Sequence, residues 1–230
     1  MRRACHLLLL CACAGSPPDE ADTDVLVEPV RFAFPLADPA EIGEVVGVDH
    51  DPADHSDSVI GRAICTDYLG RSFPSCYDGH DGSDFILEGG FAAMDAGSLA
   101  VIAAAPGVVV DTRDGQYDRC HATITGDIDC DGHEPPVANM VIVEHQGGVR
   151  SLYWHLKQGS VAVAVGDEVP RGRQLGLVGS SGVSSTPHLH FEVNLADGTV
   201  VDPFVDPTGS EPSWWCDQHG DGRLPGGCAD

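Results

Sequence analysis

From about Ser58 onward, short apolar runs alternate with glycine-rich turns, and no segment sustains a 3.6-residue apolar period. This rules out a helical bundle and calls for strands joined by tight connections. The runs are Leu99 to Ala104, Gly107 to Thr112, Met140 to His145, Arg150 to Leu156, Ser160 to Val165, Gln174 to Val178 and His188 to Leu195. Between them lie Gln146-Gly147-Gly148, Gly166-Asp167-Glu168 and Ala196-Asp197-Gly198, which is turn chemistry. The expectation is an all-β fold: one antiparallel β-sheet domain over residues 58–206, with long loops and few or no helices. The 28 glycines and 16 prolines fit that reading.

Residues 14–57 are rich in Pro, Asp, Glu and Ala and read as an acidic tether, although Val25 to Phe34 has strand composition. Residues 1–13 pair a basic start with a short apolar run, as an export signal does. Leu10-Cys11-Ala12-Cys13 also resembles a bacterial lipobox, which would leave an acylated Cys13 and attach the chain to a membrane. Beyond that leader no stretch is long and apolar enough to span a bilayer. The formal net charge of -24, with Lys157 the only lysine, argues against nucleic acid as a partner.

Nine cysteines are present, and six remain once Cys5, Cys11 and Cys13 go with the leader. They fall into neighbouring pairs: Cys65 with Cys76, Cys120 with Cys130, and Cys216 with Cys228. Proximity alone suggests that pairing, among 15 that six cysteines permit. Disulfides would place the chain in the periplasm, the cell envelope or the medium. Residues 207–230 then read as a disulfide-closed tail. Between Cys120 and Cys130 the run Asp127-Ile128-Asp129-Cys130-Asp131-Gly132 opens like a calcium loop. Ala138 stands where the bidentate glutamate would be, so a Ca2+ site at Asp127, Asp129 and Asp131 competes with a plain acidic loop. Residues 116–136, and the link from Glu88 to Gly97, look like insertions between strands.

The chemistry concentrates in three segments. Residues 188–193 form a strand in which His188 and His190 share one face while Leu189 and Phe191 take the other. Two adjacent imidazoles suit a metal or a proton-transfer site. Gly79-His80-Asp81-Gly82-Ser83-Asp84 places His80 and Asp84 four apart, and Leu152-Tyr153-Trp154-His155-Leu156 sets His155 near a strand end. No His-Glu-x-x-His is present.

Taken together, His-x-x-x-Asp, then aromatic-x-His-Leu, then His-x-His followed by Phe-Glu-Val resembles the lysostaphin-like zinc endopeptidases. The resemblance runs from about Gly79 to Phe204. It implies that His80, Asp84 and His190 are zinc ligands and that His155 and His188 are the catalytic pair. It further implies hydrolysis of peptide cross-links of peptidoglycan by a zinc-bound water. Two rivals share these residues: a secreted protease of glycine-rich proteins, and a non-catalytic wall-binding or hydrolase-activator module with a structural zinc.

Overall fold

The structure, a computed structural model, describes residues 29–51, 53–55, 61–97, 99–123, 125, 127–204, 212–218 and 224–229. The leader and Cys13 lie outside the described residues. The strands are β1 (Ile42–Val46), β2 (Ser83–Leu87), β3 (Ala100–Ile102), β4 (Gly107–Arg113), β5 (His121–Ala122) and β6 (Ile128–Asp129). They continue with β7 (Met140–Glu144), β8 (Arg150–Trp154), β9 (Glu168–Val169), β10 (Gln174–Leu177), β11 (His188–Asn194) and β12 (Val200–Val201). Among the described residues one α-helix, α1 (Gly90–Ala96), interrupts them. The main sheet has the order β1-β2-β11-β8-β7-β4-β9, with β12 also on β11, and every named strand pair is antiparallel. β10 with β3 and β5 with β6 make two small sheets.

The pleat sorts each central strand into two faces. Leu189, Phe191 and Val193 of β11, Phe85 and Leu87 of β2, Val141 and Val143 of β7, and Tyr153 of β8 are buried in one core. Val101 of β3 and Leu175 of β10 belong to the same cluster. The Tyr153 hydroxyl accepts from the Ala104 amide at 2.9 Å, tying the main sheet to the segment after β3. The opposite face of β2, β8 and β11 carries Asp84, Trp154, His188, His190 and Glu192.

Part of the expected tether is folded. Phe32, Phe34 and Leu36 are buried in the core, and β1 pairs with β2 as an edge strand. Trp215, in the expected tail, is buried at 2% exposure with its ring centroid 5.4 Å from Phe191, and Phe32 bridges to it in parallel. Aromatic surface of this size is buried wherever the sheet leaves apolar area uncovered. Ser160 to Val165, expected as a strand, pairs in no ladder. Its Val161 and Val163 pack on the core, and Ala162 N–H donates to the Leu175 carbonyl at 2.8 Å, but the Val161 amide goes to the Asp114 carboxylate instead of a strand.

All three expected disulfides are formed, Cys65–Cys76, Cys120–Cys130 and Cys216–Cys228. The Glu88 to Gly97 link houses α1, whose ends rest on left-handed glycines, Gly89 and Gly97. The insertion over residues 116–136 holds the β5–β6 hairpin, clasped by Cys120–Cys130.

Candidate metal centre

β11 lies between β2 and β8 with His190 directly across from Asp84 on one side and from Trp154 on the other. Cross-strand partners have Cβ atoms about 4.5–5.5 Å apart, so the ladder register itself brings His190 to Asp84. His190 Nδ1 lies 2.8 Å from Asp84 Oδ1. His80 arrives from the turn just before β2, with its Nε2 3.2 Å from His190 Nδ1 and 3.2 Å from Asp84 Oδ1. All three ligand-type atoms lie within 4.8 Å of one another, and this is the only such His/Cys/Asp/Glu group among the described residues.

Surrounding groups aim these atoms. His80 Nδ1–H donates to the Gly47 carbonyl at 2.7 Å, which leaves its Nε2 lone pair facing the cluster. The Tyr77 ring stacks on His80 at 4.2 Å. His190 turns Nε2 toward Glu192 Oε2 at 3.5 Å and so presents Nδ1 to Asp84. Partners on the far nitrogens fix tautomer and ring orientation, as they do in metal sites. Gly82 is required beside them, because a Cβ there would stand 2.5 Å from the His190 ring.

Three electron-pair donors facing one another repel unless a cation lies among them. Two imidazoles and a carboxylate suit zinc and leave a fourth tetrahedral position open. Without metal, a proton plays that part. Burial lowers the pKa of His190, but its bonds to Asp84 and Glu192 outweigh burial and push it up to about 9. Burial likewise works to raise Asp84, while His80, His188 and His190 hold it well below the usual carboxylate range. The donor set therefore fits a divalent ion.

His155 and His188 stand alongside. Their rings are 4.5 Å apart, and His155 meets His190 edge-on at 5.9 Å. His155 follows β8 in a left-handed conformation, φ 63°, unusual for a non-glycine residue and frequent at working sites. That kink ends the strand, and the His155 ring donates from Nδ1 to the Ser181 carbonyl at 2.6 Å. His188 donates from Nδ1 to the Thr186 carbonyl at 2.7 Å, and its Nε2 is 3.5 Å from Asp84 Oδ1. His188 thus turns its Nε2 toward the cluster, and the bond from Nδ1 leaves Nε2 as the uncommitted nitrogen of His155. Burial, with His188 and His190 nearby, pushes His155 down to about 3, and burial also lowers His188. Both are neutral bases at neutral pH.

The structure brings together all five residues named from the sequence. It does not gather Asp127, Asp129 and Asp131. Asp129 lies in strand β6, Thr125 bonds Asp127 at 2.6 Å, Asp129 caps the Asp131 amide at 3.0 Å, and the Tyr117 hydroxyl bonds Asp131. From sequence no site role falls to Gly47, Tyr77, Ser181, Ser184 or Glu192. Glu192 shares the period-2 face of His188 and His190, so that signal was present. The carbonyls of Gly47 and Ser181 carry no side-chain signature at all.

Residues 79–203, more than half of the chain, match the family model for Peptidase family M23. A DD-carboxypeptidase/endopeptidase from Neisseria meningitidis is 38% identical over 94 residues, 41% of this chain and 21% of that protein. A peptidoglycan DD-endopeptidase, ShyA, from Vibrio cholerae is 31% identical over 114 residues, 50% of this chain and 20% of that protein. The chain thus spans about a fifth of the length of these curated relatives. The solved catalytic domain of lysostaphin from Staphylococcus simulans covers 55% of this chain and 77% of its own, at 27% identity and a TM-score of 0.37. By the extent of the family match, this chain belongs to peptidase family M23.

Proposed function

We propose that the chain is an exported zinc endopeptidase that hydrolyses peptide cross-links of peptidoglycan. The observation that carries this is the convergence of His80 Nε2, Asp84 Oδ1 and His190 Nδ1, with the neutral histidines His188 and His155 packed alongside. His80, Asp84 and His190 hold the ion. Zinc, when bound, supplies Lewis acidity and lowers the pKa of a coordinated water from 15.7 to about 7. His155 and His188 accept and return protons at Nε2, and their Nδ1–H groups stay committed to carbonyls. The name of the Vibrio cholerae relative supports peptidoglycan as substrate. Three disulfides support an oxidising compartment. A lipid on Cys13 would tether the chain to the envelope, and residues 58–206 would form the catalytic domain, to which segments on either side add core residues.

One feature favours the non-catalytic module: all five site residues are at most 8% exposed. Digestion of purified peptidoglycan and of a glycine-rich protein by the zinc-loaded chain, with products weighed by mass spectrometry, separates the readings. Cross-linked muropeptides should be cut and the glycine-rich protein spared. Bound zinc with no cleavage of either would establish the module, and cleavage of the glycine-rich protein alone would establish the secreted protease.

A further inference from the structure

The insertion over residues 116–136 docks on the loop that supports the two neutral histidines. Cys120 N–H donates to the Ser180 carbonyl at 3.2 Å, and Ala122 N–H donates to the Ser184 carbonyl at 2.8 Å. The second insertion braces the first. Arg119 pairs with Asp95 of α1 and lies 5.6 Å over the Phe91 ring, which also contacts His121 at 4.9 Å.

Within this contact runs a line of buried hydroxyls. Ser180 Oγ–H donates to the Cys120 carbonyl at 3.2 Å. Ser184 Oγ lies 2.8 Å from Ser180 Oγ and 3.2 Å from His188 Nδ1. Ser180 and Ser184 are 0% and 1% exposed, so no water competes for their bonds. The one Ser184 proton has two acceptors, Ser180 Oγ and the Thr186 carbonyl at 2.9 Å, and either choice leaves a Ser184 lone pair toward His188. The proton on His188 Nδ1 faces both the Thr186 carbonyl at 2.7 Å and Ser184 Oγ, so Ser184 shares with Thr186 the holding of that tautomer.

We propose that Ser180 and Ser184 are positioning residues that transmit the placement of the Cys120–Cys130 loop to His188, holding it as the Nδ1–H tautomer with Nε2 toward the metal cluster. The disulfide closes the loop whose Cys120 carbonyl anchors the line. His188 is therefore set by an insertion outside the strands that carry the ligands. The proposal rests on the reading of His188 as a proton-handling group, but its structural half can be measured without turnover.

The test uses the full chain loaded with zinc alone and labelled with 15N-histidine. Ser180→Ala, Ser184→Ala and the pair Cys120→Ser with Cys130→Ser are compared by long-range 1H–15N spectra, zinc content and muropeptide kinetics. His188 is assigned by its loss in His188→Ala. All three variants should move the His188 nitrogen resonances and leave those of His80 and His190, and the zinc content, as in the parent. Displacement of a reacting group by about 1 Å costs about 100-fold, so kcat should fall by about 10- to 100-fold with KM unchanged. Unmoved His188 resonances in Ser184→Ala would overturn the proposal, even if its melting temperature fell. Unmoved resonances in the cysteine pair alone would remove the loop from the line. If the parent proves inactive, moved resonances still support the positioning and only the proposed function fails. Ser180→Ala retains the disulfide, so poor folding of the cysteine pair leaves the test intact.

Discussion

Gly82→Ala puts a methyl group against the metal cluster without replacing any ligand. The new Cβ would lie 2.5 Å from both Cε1 and Nε2 of His190 and 2.9 Å from the Phe191 carbonyl oxygen. Ordinary contact begins at 3.4 Å, so the ring must retreat by about 0.9 Å. The backbone cannot yield instead, because Ser83, the next residue, is paired with Phe191 in the sheet. Retreat moves Nδ1 away from its 2.8 Å contact with Asp84. Metal–ligand distances tolerate about 0.2 Å, so a displacement several times larger removes one of three ligands. The expected loss of zinc affinity is at least about 100-fold, or about 2.8 kcal/mol. Strain in the fold should cost about 1–3 kcal/mol, as overpacking does. Zinc affinity by competition with a chelator, beside thermal unfolding of the metal-free protein, separates the two effects. Gly227→Ala is the control, since nothing lies within 4 Å of its Cβ position and zinc binding there should be unchanged. Parental zinc affinity in Gly82→Ala would refute the geometry of the centre.

Three further outcomes are expected. His80→Ala, Asp84→Ala and His190→Ala should each lose zinc and activity together, whereas His155→Ala and His188→Ala should keep zinc and lose about 10²–10⁴-fold in turnover; elemental analysis beside muropeptide kinetics checks the division, and equal zinc loss in all five would refute it. Burial lowers the pKa of His145 from 6.5, against weaker opposing pulls from the Pro106 carbonyl and Glu144. The unfolded chain then takes up the proton first, so stability is full above about pH 6.5 and declines as pH falls through that value toward the folded pKa; His145→Gln should flatten the decline in urea midpoints, and an unchanged slope would refute it. Trp215→Ala should cost about 3–5 kcal/mol in denaturant unfolding, because its ring is buried against Phe191 and Phe204, and a loss under about 1 kcal/mol would return the tail to the surface.

Much of the sheet was legible because a run of strand-forming residues bounded by glycine turns is a local signal. β4, β7, β8, β10 and β11 all lie in such runs. Two-residue strands such as β9 and β12 carry no period to read, and β1, Ile-Gly-Glu-Val-Val, is short and lies in an acidic stretch. Val161 to Val165 alternates as a strand does but runs beside β10 with one backbone bond rather than a ladder. Phe32 and Trp215 became core because the sheet left an apolar face to cover, a demand made by distant residues.

The site divides along the same line. The order of residues alone determined that His188 and His190 share a face, since successive strand side chains alternate by two, and that His80 and Asp84 lie four apart in a glycine-rich segment. Tertiary structure decided that Asp84 lies across the ladder from His190, 106 residues away, and that the Gly47 carbonyl turns the His80 ring. It also decided that His155 bends out of its strand onto Ser181, and that an inserted disulfide loop reaches His188 through two serines. Register and docking are sums of many weak contacts between distant segments, and such sums exist only once the chain has folded.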